Sequence, residues 1–136
     1  MAAEIMELFT FGMLSRFYGD LKTADQKMIA QNLYNTTPKN IISWLHCCTD
    51  LRNICAHYGR LYYRIFPSVP GGLNILEPAK RRLWGCVLAL RALYPDENKW
   101  NNEVVLELEA LINEYLPDIS LYRMAFPSDW SKKLRK

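Results

Sequence analysis

The chain has 136 residues, half of them hydrophobic and 23% charged, an ordinary globular balance at the length of one domain. That composition excludes a disordered tail, a collagen-like rod and a coiled coil. No apolar run reaches the roughly 18 residues a membrane span needs, and Met1-Ala2-Ala3-Glu4 carries no basic secretion leader. A cytoplasmic protein with no membrane partner is therefore expected. The net charge of +3 is unevenly spread: residues 52–82 hold Arg52, Arg60, Arg64, Lys80, Arg81 and Arg82 against Glu77, whereas residues 95–120 hold seven acids against Lys99. Four further cations close the chain from Lys132 to Lys136. Such basic density attracts polyanions even when the total charge is near neutral.

The hydrophobic period is helical nearly throughout. Ile5, Leu8, Phe9, Met13, Leu14, Phe17, Tyr18 and Leu21 recur at three- and four-residue steps, and Gly19-Asp20 should end this first helix. A second helix is expected from about Ala24 to Leu33, stopped by Asn35-Thr36-Thr37-Pro38. The third begins near Lys39, with Ile41, Trp44, Leu45, Cys48, Leu51 and Cys55 as one stripe, and should end at Tyr58-Gly59. A further turn or two through Leu61, Tyr62 and Ile65 is expected before the chain-breaking loop at 67–72. Pro78 should open a fourth helix with Leu83, Val87, Leu90 and Leu93 inward, stopped by Pro95. Asn101 or Asn102 should cap a fifth with Val104, Leu108, Leu111 and Tyr115 inward, ending at Pro117. Trp84, Trp100 and Trp130 read as packing residues, and the segment after Asp118 has no clear pattern. The expectation is an all-α, antiparallel bundle of about five helices in one domain spanning residues 1–136.

The chemistry concentrates in Leu51-Arg52-Asn53-Ile54-Cys55-Ala56-His57-Tyr58-Gly59-Arg60. Asn53, His57 and Arg60 share a helical face at i, i+4 and i+7, and Arg52 can lean toward it. A helix this apolar should bury most of its surface, so polar heads there must pair or meet a ligand. Guanidinium, imidazole and carboxamide together suit a phosphodiester. Arg grips phosphate oxygens through parallel bonds, and His exchanges a proton near neutral pH. In RNA the neighbouring 2′-OH is a built-in nucleophile, so cleavage needs a base, an acid and positive charge, with no metal or other cofactor. A structural role is the competing reading, with Arg52 paired to Asp50 or another acid. His46, Cys47, Cys48, Cys55 and His57 make a cluster of potential metal ligands on paper. With no Cys-x2-Cys pair and with His46 and Cys47 off the face of Cys48 and Cys55, no zinc site is expected, and the thiols should be reduced. Tyr58, Tyr62 and Tyr63 beside arginines could stack bases or simply fill an interface.

Arg52-Asn53-Ile54-Cys55-Ala56-His57, with Arg60-Leu61 and Arg64, resembles the signature of the Abi-like (abortive-infection) bacteriophage-resistance family. Supporting pieces are Glu4 to Glu7, Thr10 to Ser15, Ser43-Trp44-Leu45 and the terminal Phe126-Pro127-Ser128-Asp129-Trp130. The signature is a form of the Arg-x4–6-His motif of HEPN domains, which are helical RNases and RNA-binding modules. Family members are usually longer, and by that resemblance the chain looks like their C-terminal half. Tyr58 and Tyr63 stand where the family commonly has other polar residues. The resemblance implies a metal-independent endoribonuclease in phage defence or as a toxin, with a possible antitoxin protein. It also implies a homodimer whose two motif copies share one site. In that reading Arg52, Asn53 and His57 are catalytic, and Arg60, Arg64 and Tyr58 bind RNA. The alternative is an inactive HEPN-like module that holds RNA or protein.

Overall fold

The computed structural model describes residues 11–56 and 64–136, and among these every regular element is helical. The elements are α1 (Phe11–Asp20), α2 (Thr23–Tyr34), α3 (Pro38–Ala56), a 3₁₀ turn at Ala79–Arg81, α4 (Leu83–Leu93), and α5 (Glu97–Lys99). A π-helical turn (Trp100–Val104) leads from α5 into α6 (Val105–Tyr115), followed by a 3₁₀ turn (Leu121–Met124) and α7 (Trp130–Leu134). The expected all-α class holds.

α3 is the central element, with α1, α2 and α4 packed on it. Ile41, Trp44, Leu45 and Cys48 are buried as their spacing predicts, and the adjacent Cys47 is buried too. All but Cys48 meet Tyr18, Ala30, Phe66, Cys86 and Ala89 in one core. The break after α2 is a left-handed Asn35 (φ 48°, ψ 47°), with the Asn35 and Thr36 N–H groups returning to the Gln31 and Ala30 carbonyls. Asn tolerates this conformation because its short polar side chain bonds locally.

The loop at 67–72 is fastened along α3 at three points. The Asp50 carboxylate accepts from the Ser68 N–H (3.2 Å), Ser43 Oγ accepts from the Gly71 N–H (2.8 Å), and the Trp44 indole N–H donates to the Gly71 carbonyl (2.8 Å). Gly72 (φ +71°) closes the turn against Asn40, whose side-chain amide would clash with any added Cβ. No further helical turn runs through Ile65, which is exposed on irregular backbone.

Two helix starts differ from expectation. Pro78 precedes a single 3₁₀ turn, and Arg82 is extended (φ −115°, ψ 175°), so α4 begins at Leu83. Gly85 allows that turn to lie on α4: a Cβ there would be 2.6 Å from the Ala79 carbonyl oxygen and 2.8 Å from that of Lys80. Both obstacles are backbone. Gly85→Ala is therefore expected to cost about 1–3 kcal/mol, read as a lower urea midpoint with an unchanged slope.

The last long helix starts at Asp96, whose carboxylate accepts from the Lys99 N–H (3.0 Å), and not at Asn101 or Asn102. The π turn that follows takes more residues per turn than an α-helix and resets the inward face. Val105 and Ile112 are buried, while Leu111 and Tyr115, expected inward, are about half exposed. Val105 and Ile112 join Trp84, Val87, Trp100, Met124, Phe126, Trp130 and Leu134 in a second core. Phe126 lies between Trp84 (ring centroids 4.9 Å) and Trp130 (5.7 Å), and all three tryptophans expected to pack do so. The patternless end of the chain is tied down by backbone acceptors. The Trp100 indole N–H and the Arg91 Nε–H both reach the Leu134 carbonyl (2.8 and 2.9 Å), and Arg135 pairs with Glu109 at 2.7 Å.

Candidate functional site

The motif lies at the C-terminal end of α3. Leu51 and Ile54 turn toward the first core, half-buried, and Arg52 and Asn53 lie on the opposite, solvent-exposed side. The expectation that this apolar helix buries most of its surface does not extend to Arg52 and Asn53. α3 buries one side only, and its outer stripe of Lys39, His46 and Asn53 repeats at seven-residue steps.

Arg52 Nη1 donates to Asn53 Oδ1 at 3.5 Å, a long contact between neighbours along the helix. Asp50, the carboxylate that could have claimed Arg52, instead accepts from the Ser68 N–H. Among the described residues no carboxylate pairs with Arg52. An exposed guanidinium beside a carboxamide is suited to gripping a phosphate. His57, Tyr58 and Arg60 lie outside the described residues, as do Tyr62 and Tyr63.

Arg64 is exposed, two residues before the fully buried Phe66. The Phe66 N–H donates to the Arg81 carbonyl at 2.8 Å. A buried phenyl ring and a backbone bond thus bring the segment that carries Arg64 beside Arg81, which is also exposed. Two parts of the basic stretch seen in the sequence, the segments of Arg64 and of Arg81, are therefore joined in space. Nothing local in the sequence marks that meeting, because residues 67–80 intervene.

The described cysteines are placed for packing. Cys47, Cys48 and Cys86 are buried, whereas His46 is exposed. Among the described residues no group of three or more His, Cys, Asp or Glu side chains could hold a metal. Burial, and next the neighbouring Cys47, push the Cys48 thiol up to about 12. The Cys86 thiol is raised by its hydrogen bond with Cys47 and then by burial. Thiolate is the reactive form, so these cysteines should resist iodoacetamide at pH 8 in the native protein and react after unfolding, as read by peptide mass mapping. The sign of the linked pH effect follows. In the unfolded chain the Cys48 thiol ionises from its ordinary 9.0, while in the folded chain it stays protonated. Stability is therefore unaffected by this group below about pH 9 and falls as pH rises beyond it.

Residues 3–63 match the family model of Abi-like protein. The match covers α1 to α3 and contains Arg52, Asn53, His57, Tyr58 and Arg60, so it supports the Abi-like resemblance over the part of the chain that carries the motif. Arg64 and the Phe126–Trp130 element lie beyond it. In this structure Phe126 and Trp130 are core residues of the second cluster. No curated protein and no solved structure matches the chain. Among the described residues no helix is long and apolar enough to cross a membrane.

Proposed function

We propose that the protein is a metal-independent endoribonuclease of the abortive-infection type, acting in phage defence or as a toxin. The observation that carries this reading is the exposed Arg52–Asn53 pair, without a carboxylate partner among the described residues, inside the segment that matches the Abi-like family. A structural arginine would be spent on an acid of its own chain, and among the described residues Arg52 has none.

In the proposed reaction a base removes the proton from a ribose 2′-OH, and the oxygen attacks the adjacent phosphorus. The P–O5′ bond breaks as an acid protonates the leaving oxygen. The products are a 2′,3′-cyclic phosphate and a 5′-hydroxyl. One imidazole is too few for both transfers, so His57 of one subunit serves as base and that of a second copy as acid, across a two-fold axis. Arg52 neutralises the phosphorane and Asn53 orients it, while Arg60, Arg64 and Tyr58 hold the flanking strand. An exposed motif face is what such an axis requires.

The test is cleavage of RNA by purified protein in EDTA, with end analysis for cyclic phosphate. His57→Ala should abolish cleavage while the helical spectrum persists. RNA that is retained on the protein but stays intact would reassign the chain to the binding-module reading.

A further inference from the structure

A cleft of about 710 Å³ opens on the second core, between the segment 74–82 and the 3₁₀ turn at Leu121–Met124. Its volume falls in the roughly 300–1,000 Å³ range of ligand-binding clefts. The charged side chains lining it are Arg82, Arg123 and Lys133 against the single acid Glu77. Lys133 also faces exposed Asp129 at 3.5 Å, a weak surface pair. Trp84 and Phe126 contribute to the walls. The two most exposed large apolar side chains among the described residues, Tyr122 (88%) and Leu76 (80%), both line this cleft.

We infer that this cleft is a subsite for single-stranded RNA, with Arg82, Arg123 and Lys133 on backbone phosphates and Tyr122 stacked on an unpaired base. The inference deepens the proposed function and rests on it for the identity of the nucleic acid. Three observations favour it. An excess of cations around aromatic side chains is the combination that binds single strands without reading sequence. An outward-facing tyrosine gains little from its own fold and much from a base laid on its ring. The Phe66–Arg81 hydrogen bond also ties the segment carrying exposed Arg64 to the residue that precedes Arg82 of the cleft lining. A strand held here would extend beyond the motif, so affinity would depend on RNA length.

The experiment is fluorescence anisotropy with a fluorescein-labelled oligouridine of about 12 nucleotides, within the usual site size of single-strand binders. It uses the full chain carrying His57→Ala, so that the probe stays intact. Tyr122→Ala should weaken binding about fivefold or more, on the scale of removing one base–aromatic stack. The double variant Arg123→Glu/Lys133→Glu should weaken it about tenfold or more. It should also flatten the salt dependence by roughly 0.7 for each phosphate no longer neutralised. The control is Lys22→Glu/Lys27→Glu, an equal charge reversal at exposed positions beside and on α2, and it should change affinity much less. All these side chains are exposed, so matched circular dichroism and melting are expected. Equal weakening by the control, unchanged affinity in the cleft variants, or no binding by the parent protein would overturn the inference. Normal cleavage with cleft-independent binding would refute this subsite and leave the nuclease standing. Cleft-dependent binding of RNA that the native protein never cuts would do the reverse.

Discussion

Arg52→Ala is expected to fold normally and to cleave RNA about 10²–10³-fold more slowly, the loss typical of removing one donor from a developing oxyanion. Both halves of that expectation come from its placement. The side chain is exposed at the end of α3, and it donates a long 3.5 Å bond to the neighbouring Asn53. Surface substitutions of this kind usually change stability by less than about 0.5 kcal/mol. Melting temperature and rate should therefore separate cleanly. Arg52→Lys should recover only part of the rate, because an ammonium keeps the charge and loses the planar fork that holds two phosphate oxygens. His57→Ala should abolish measurable cleavage, because in the shared site it removes both the base and the acid, each worth about 10²–10⁴-fold. The paired measurement is a melting curve and a single-turnover cleavage rate on the same preparation. Unfolding of Arg52→Ala would return the residue to a structural role. An unchanged rate would move the chemistry elsewhere.

Trp100→Ala is expected to have the largest effect on stability, about 3–5 kcal/mol. Trp100 is fully buried in the second core, packed against Tyr94 with ring centroids 5.3 Å apart. Its indole N–H holds the Leu134 carbonyl at 2.8 Å. Truncation would open a cavity and release one anchor of α7 together. Since domains hold only about 5–15 kcal/mol in total, the variant should be marginal at 37 °C. Trp100→Phe should cost much less. It retains most of the apolar volume, and the Leu134 carbonyl keeps its second donor, the Arg91 Nε–H at 2.9 Å. Urea unfolding of the three proteins gives the ranking, and comparable losses for Phe and Ala would show that the hydrogen bond, not the volume, carries the effect.

Long-period features were legible in advance. The helical class, the break at Asn35 to Pro38, the stripe of Ile41, Trp44, Leu45 and Cys48, and the loop at 67–72 all follow from spacing and from residues with restricted backbones. Features set by partners distant in the chain were not legible. The last long helix buries Val105 and Ile112 with Val104 and Leu108 packed beside them, and turns Leu111 and Tyr115 outward, because both sets have helical spacing and the π turn shifts the inward face. The end of the chain showed no long period, since its helix is only five residues long and it is held by a few core side chains, Phe126, Trp130 and Leu134, and by bonds from Trp100, Arg91 and Asn101 to its backbone carbonyls.

The same division runs through the site. Residue identity and order alone settled which side chains can do phosphate chemistry and that Arg52 and Asn53 are neighbours on one helix, because those properties belong to the side chains and to the helical repeat. Tertiary structure decided that the pair faces solvent, that Asp50 is engaged by Ser68, that Arg64 emerges beside Arg81, and that Tyr122, Arg123 and Lys133 line a cleft with Arg82. Each of these depends on which face of a helix finds an apolar neighbour and where a loop returns. Those outcomes are fixed by packing among residues far apart in the chain, which no local pattern encodes.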